Sequence, residues 1–394
     1  MPASEIQNES DFNAVNPGED ASVSQFTWTR IAIFLTVITT ITMGANWLVC
    51  ATWNHFMGNE GFPAWQIVPP LLTVTFIACI ILGRRFSNSG LRLAYTVSAT
   101  WMGVLNFSFF ASMGAWIAWD VIGALPLHVE PRFVGVTFFA AAALASIYGI
   151  VNGSWLRTTR VDVKLRNLPD AWNGKSVALV TDMHLGNIRG AGFTRKVVAR
   201  LQELKPEAVF ISGDMFDGVE GDFDAFLQPW KQLSVPAGVY YVSGNHEEFE
   251  DRVKFLDAVK RAGIRVLNNE KVESNGLQIV GIHDGETHEP QLYKSLLQRA
   301  EVDRGRASVL LAHQPKNLEI PASEGIALQL SGHTHNGQIW PWHWLAARVH
   351  GKFVYGLHRF QAMQVLTSSG AGTWGIPMRA ATKSEIVLIR LEGE

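Results

Sequence analysis

Two regimes of hydrophobic patterning divide the chain. In the first, apolar residues run in four long blocks: Ile31–Ala51, Ile67–Leu82, a stretch within Leu93–Ala118, and Phe133–Val151. Each is close to the ~20 residues that carry a helix across a bilayer. Pro69 and Pro70 fall near the start of the second block, where the first turn of a helix tolerates them. Nearly four turns at a time lack any charge, whereas a helix of a soluble core keeps a polar face. The pattern predicts a four-span transmembrane region over residues 28–157. Ahead of it, residues 1–27 are polar and acidic with few apolar anchors, which predicts a disordered tail and lacks the basic start of a signal peptide.

The second regime begins near Thr158. Short β-rich runs alternate with helical patterns: Ser176–Thr181 then Phe193–Leu204, Ala208–Ser212 then Phe223–Leu233, Val239–Val242 then Glu250–Ala262. Further strand-like runs follow at Ile264–Leu267, Leu277–Ile282, Ser308–Leu311, Ile326–Leu330, Gln364–Thr367 and Glu385–Leu391. This alternation predicts a layered α/β domain over residues 158–394.

Composition sharpens the first regime. Charged residues are only 17% of the chain, against 47% hydrophobic, with 14 Trp and 22 Phe. Trp53, Trp65, Trp116, Trp119 and Trp155 sit near the ends of the blocks, as an aromatic belt requires. The loop after the first block has no Lys or Arg. Arg84, Arg85 and Arg92 follow the second block, Arg132 alone follows the third, and Arg157, Arg160, Lys164 and Arg166 follow the fourth. That bias predicts both termini, and the whole second regime, on the cytoplasmic side. A net charge of −2 gives no reason to expect nucleic acid as a partner. Cys50 and Cys79 both lie inside apolar blocks, which excludes a disulfide framework and a thiolate metal site.

Candidate chemistry collects at strand ends. Ser176–Thr181 runs into Asp182-Met183-His184, a carboxylate and an imidazole two residues apart. The next strand ends in Gly213-Asp214, whose two oxygens suit a bridge between metals. The third ends in Gly244-Asn245-His246-Glu247, offering a neutral oxygen ligand and an adjacent histidine for proton work. Later strands end in His313 and in the turn Gly332-His333-Thr334-His335. All five lie at the sheet edge where α/β folds place ligands. Oxygen and imidazole donors without thiolate suit Mn, Fe or Zn, and two such ions can activate water and clamp a phosphoryl group. His283, His288, His343, His350 and His358 follow no ligand spacing and read as structural or solvated, with His283 the one expected nearest the site.

This ordered series resembles the calcineurin-like metallophosphoesterases, and Gly332-His-Thr-His-Asn-Gly-Gln338 resembles their bacterial membrane-linked phosphodiesterase branch. The motifs run from Asp182 to Gln338. A looser similarity continues through Ser368–Gly372 and Pro377-Met378-Arg379 to Ile386–Leu388. The resemblance implies a four-layer α/β/β/α sandwich and two divalent metal ions, manganese favoured. One ion would take Asp182, His184, Asp214 and His335, and the other Asp214, Asn245, His313 and His333. His246 would be the general acid at the leaving oxygen, with Glu247 orienting it or its neighbours. Two departures stand out. Met215-Phe216-Asp217-Gly218 after Asp214 lacks the arginine of the family's protein phosphatases, which argues against a phosphoprotein substrate. Asn336 stands where this branch often has Gly.

The expected protein is therefore a phosphodiesterase or pyrophosphatase anchored in a bacterial inner membrane with its catalytic domain in the cytoplasm. A lipid-linked nucleotide such as UDP-diacylglucosamine is the attractive substrate, and a soluble phosphodiester is the other. Trp340, Trp342 and Trp344, directly after the metal turn, are expected to form a lid that dips into the interface, with a packed core corner as the alternative. Two other function classes compete. A sensor that binds metal without turnover is disfavoured by the intact ligand set. A transporter is disfavoured by spans without interior charge.

Overall fold

In the computed structural model, residues 17–58, 64–248 and 252–394 are described. The tail expected over 1–27 thus lies, up to residue 16, outside the described residues. Four helices lead: α1 (Pro17–Met57), α2 (Val68–Leu82), α3 (Ser89–Gly123) and α4 (Pro131–Ser154). All four are long and apolar enough to cross a membrane, the second when its preceding turn from Ala64 is included. Their polar side chains pair with one another, as they must where water is absent. Asn46 Nδ2 donates to Thr73 Oγ1 (2.9 Å), Trp101 Nε1 to Asn46 Oδ1 (3.3 Å) and Trp116 Nε1 to Thr52 Oγ1 (3.0 Å).

The rest of the chain folds as two six-stranded sheets. The first holds β1 (Leu156–Leu165), β2 (Ser176–Val180), β3 (Val209–Ser212), β4 (Val239–Val242), β5 (Arg265–Val266) and β12 (Ser384–Gly393), in the order β1-β12-β2-β3-β4-β5. The second holds β6 (Glu270–Ser274), β7 (Leu277–Gly281), β8 (Ser308–Leu311), β9 (Leu328–Ser331), β10 (Gly356–Phe360) and β11 (Met363–Thr367), in the order β10-β11-β9-β8-β7-β6. Strand alternation builds the layers. On β2, Val177 and Leu179 face inward onto Ile279, Val309 and Leu330 of the other sheet. Ala178 and Val180 face outward onto Val197 and Leu201 of α5 (Ala191–Leu204). On the far side, Tyr293, Leu296 and Leu297 of the helix Pro290–Arg299 cover Val280 and Leu310. The result is the four-layer α/β/β/α sandwich.

β1 leaves α4 after one residue, Trp155, and pairs in parallel with β12 along its whole length. Its sequence, Leu-Arg-Thr-Thr-Arg-Val-Asp-Val-Lys-Leu, reads as a basic membrane flank rather than a strand, because only the half facing the sandwich core is apolar. The sandwich docks on the helices through the loop before β12. Met378 is fully buried, and a Cβ at Gly103 of α3 would meet its side chain, as would one at Gly149 of α4 at 3.4 Å. Asn152 Nδ2 donates to the carbonyls of Arg379 and Thr382 (2.8 Å each), and the Arg379 amide donates to Gly149 (2.9 Å). The α2–α3 connection and the first turn of α3 join from the other side: Glu220 N donates to the Gly83 carbonyl (3.0 Å) and Arg92 Nε to that of Asn187 (3.2 Å).

Candidate metal centre

Parallel strands β2, β3 and β4 of one sheet and β8 and β9 of the other present their C-terminal ends to a common cleft. One hydrogen bond joins neighbouring strand ends within the first sheet, and two more tie the two sheets together at Ser212. Thr181 Oγ1 donates to the Ser212 carbonyl (2.8 Å), Ser212 Oγ to that of Leu330 (2.9 Å), and His313 Nδ1 to that of Ser212 (2.7 Å). The chain turns sharply as each strand ends: Asp182, His184, Asp214, His333 and His335 all have φ between 48° and 69°. Five non-glycine residues in the left-handed region at one locus is strain held by the surrounding fold, a mark of functional sites. Gly332 is required here because a Cβ would run into Thr181 and Asp182, and Gly244 because one would run into Asp214.

The turns bring all seven expected ligands together. In one group, His335 Nε2 lies 3.4 Å from Asp182 Oδ1 and 3.0 Å from His184 Nε2. In the other, His313 Nε2 lies 3.1 Å from Asp214 Oδ2, and His333 Nδ1 is 2.8 Å from Asn245 Oδ1. Asp214 joins the two groups, since its Oδ2 is also 3.8 Å from His184 Nε2. The backbone fixes both carboxylates: the His246 amide donates to Asp214 Oδ1 (3.0 Å) and the His333 amide to Asp182 (3.1 Å).

These residues fit divalent ions. Asp182 and Asp214 are buried, and among the described residues their ion-pair partners are histidines alone. Two buried carboxylates need a cation nearby. His313 gives its Nδ1 proton to the Ser212 carbonyl, so in the neutral ring Nε2 aims a lone pair at a carboxylate oxygen. A metal between such atoms resolves the repulsion, and the Ser212 contact is the usual outer partner of a metal-binding imidazole. Metal–ligand bonds of about 2.0–2.2 Å put atoms sharing an ion roughly 3 Å apart, the spacing seen in both groups.

Without metal, protons carry that charge. Burial opposes ionisation of Asp214, but His313 and His246 outweigh it and hold its carboxyl well below the usual carboxylate range. Burial likewise works against His313, yet Asp214 raises it well above an ordinary histidine. His333 is pushed down to about 3, by burial and then by His313. It is neutral and ready to ligate at neutral pH.

His246 stands beside the ligands, its ring 4.7 Å from that of His184 and 6.2 Å from Trp374. Burial lowers its pKa, but Asp214 and Asp217 more than reverse this. Glu247, fully buried, accepts the amides of Asp214 (3.0 Å), Phe216 (2.8 Å) and Gly244 (2.7 Å). It therefore orders the turns beneath His246 and Asp214 rather than touching the imidazole. Burial and then Asp214 push its pKa up to about 8. His283 is buried at the end of β7, where its Nδ1 accepts the Ser243 amide (3.0 Å) and serves the scaffold.

Two contributors escaped the sequence reading. Asp217 Oδ1 is 3.1 Å from His184 Nδ1 and 3.8 Å from His246 Nδ1, and with these two histidines forms a third tight acidic–imidazole group. Its signal was its place three residues after Asp214. Arg379 is fully buried and donates to the carbonyls of His335 (3.1 Å) and Gly372 (2.8 Å). It braces the metal turn from behind, and burial lowers its pKa to about 9.

The fold and this cleft define a metallophosphoesterase domain, and comparison with known proteins agrees. Residues 175–337 match the calcineurin-like phosphoesterase family. An uncharacterized metallophosphoesterase of Campylobacter jejuni is 32% identical over 252 residues, covering 63% of this chain and 67% of that protein. One of Helicobacter pylori is 34% identical over 222 residues, covering 55% and 59%. A Danio rerio protein described as a transmembrane protein with metallophosphoesterase domain is 30% identical over 266 residues, covering 64% and 61%. The chain belongs to the calcineurin-like metallophosphoesterase family. It spans 59% of the length of the Helicobacter pylori relative.

Proposed function

We propose that this protein is a membrane-anchored phosphohydrolase that cleaves a phosphodiester or pyrophosphate with two divalent ions, manganese favoured. The observation that carries this reading is Asp214, which belongs to the Asp214/His313/His333 group and lies 3.8 Å from His184 of the Asp182/His184/His335 group. Two ions so held supply Lewis acidity to the phosphoryl oxygens and a water of lowered pKa. Asp182, His184, Asp214 and His335 would hold one, and Asp214, Asn245, His313 and His333 the other. His246, whose protonated form Asp214 and Asp217 favour against burial, would give its proton to the leaving oxygen.

Residues 28–157 are read as the membrane region and 158–394 as the catalytic domain, held at the cytoplasmic face of a bacterial inner membrane. The arginine-bearing α2–α3 connection supports this placement, because it packs on the catalytic domain. A lipid-linked nucleotide such as UDP-diacylglucosamine is the favoured substrate. Support comes from the helix Trp342–His350 beside the cleft, which exposes Trp342, Trp344, Leu345 and Val349. Trp340 just before it packs on Phe110, and Trp342 Nε1 donates to Asn106 Oδ1 (2.9 Å). Asn106 lies about five turns, ~25 Å, into α3. The exposed apolar face is therefore continuous with a membrane helix.

The test is hydrolysis of a chromogenic phosphodiester by full-length protein with Mn²⁺, after chelation, and with Asp214→Ala and His246→Ala. Metal-dependent turnover lost in both variants is expected. Absence of turnover with Mn²⁺, Fe²⁺ or Zn²⁺, while two ions still bind, would overturn the enzymatic reading.

A further inference from the structure

A second cavity, of about 800 Å³, opens where the sandwich meets the membrane helices, and it shares no lining residue with the metal cleft. Its walls come from the start of α3 (Arg92), the end of α4 (Ser154), the first turn of α5 with Arg189 before it and Lys196 beyond, and Phe226. With α1–α4 spanning the membrane, the start of α3 and the end of α4 lie on the same side of it.

Its chemistry is cationic. Arg92, Arg189 and Lys196 face a single lining carboxylate, Asp222, and that carboxylate accepts the Ala225 amide at 2.9 Å. Among the described residues none of the three cations makes an ion pair within 4.0 Å. Arg189 is only 9% exposed. Its Nη2 donates to the Gly153 carbonyl (2.9 Å) and to Thr373 Oγ1 (3.1 Å), and its guanidinium lies 4.4 Å from the Phe193 ring centre. Its Nε is buried with no acceptor in the protein. A buried guanidinium with an unanswered donor is costly unless an acceptor completes it. α5 begins at the same wall, and Gly190 offers no side chain to cap it, so its first-turn amides add to the positive potential.

We propose that this cavity binds a phosphate group, carried by an anionic phospholipid headgroup or free in solution. The inference goes beyond the hydrolytic reading and rests only on α1–α4 spanning the membrane.

The experiment uses full-length protein in phosphatidylcholine nanodiscs. Phosphatidylglycerol is introduced at increasing mole fraction and the lipid retained is counted by native mass spectrometry. Inorganic phosphate is titrated separately by calorimetry. Arg92→Gln and Lys196→Gln are tested singly and together, with Lys231→Gln as a cation outside the cavity. Thermal unfolding in phosphatidylcholine alone confirms folding, and Arg189→Gln is added if it folds. Each cavity cation is expected to contribute about fivefold, and the pair about 25-fold, with Lys231→Gln unchanged. Retention of phosphatidylglycerol that weakens in the double variant assigns a lipid headgroup. Phosphate binding that weakens in the same way assigns the free anion. Binding of neither probe, or binding indifferent to Arg92 and Lys196, overturns the proposal.

Discussion

Asp217 holds His184 by an Oδ1–Nδ1 contact of 3.1 Å, and the same oxygen lies 3.8 Å from His246. One carboxylate thus fixes the tautomer of an expected ligand and raises the pKa of the expected proton donor. Such outer partners typically contribute 10–100-fold to metal affinity or activity. Asp217→Asn should lower Mn²⁺ affinity by about that range and shift the pH–rate profile. His246 sits above its ordinary value, so the protonated form is lost as pH rises through the raised pKa. Removing the Asp217 charge lowers that pKa, and the basic limb should move to lower pH. A pH–rate series on both proteins reads this; an unmoved basic limb would count against a link between Asp217 and His246.

His246→Ala should lose about 10²–10⁴ in kcat while keeping its metals. The loss should depend on the leaving group: small for p-nitrophenolate, which departs without a proton, and large for an alkoxide. Kinetics on two such diesters, with metal content measured in parallel, decide it. Equal losses on both would remove His246 from the donor role.

Trp342 and Trp344 are half or more exposed, whereas Trp340 packs against Phe110. The exposed pair is therefore Trp342 and Trp344. Their joint change to Ala should reduce turnover of a vesicle-borne substrate and spare a soluble one. A Trp340→Ala variant should instead lower the thermal unfolding midpoint. Equal loss on both substrates in the double variant would sink the lid.

Met378 is the plug between the sandwich and the helices, buried against Gly103 and Gly149. Met378→Ala should cost about 2–5 kcal/mol. Gly149→Leu should overpack the same contact and cost about 1–3 kcal/mol. Chemical denaturation in detergent measures both. A Met378→Ala protein as stable as the parent would show that the domains dock without this contact.

Much of the site was legible because its residues follow strand ends. Asp182, Asp214 and Asn245 each sit within three residues of the last residue of β2, β3 and β4, and His313 and His333 do the same after β8 and β9. Parallel strands must then bring them to one edge. Asp217 was less visible because it lies beyond the strand end, where only the observed turn directs it back to His184. β1 was missed because its basic alternation looks like a membrane flank, and β6 and β10 because short polar edge strands carry little apolar signal. Arg379 could not be read as a brace, since its contacts with the metal turn, to the carbonyl and ring of His335, join residues 44 apart in the chain.

From the sequence alone came the four apolar blocks, the α/β alternation and the ordered Asp, Asn and His series. All of these are local patterns, set by periodicity and by which residue follows which strand. The tertiary structure alone decided that Asp217 reaches back to both His184 and His246 and that Glu247 gathers three amides. It also decided that Met378 seats the sandwich on α3 and α4, and that Arg92, Arg189 and Lys196 meet around one cavity. These depend on how two sheets and four helices pack, and side chains drawn from segments far apart in the chain become neighbours only through that packing.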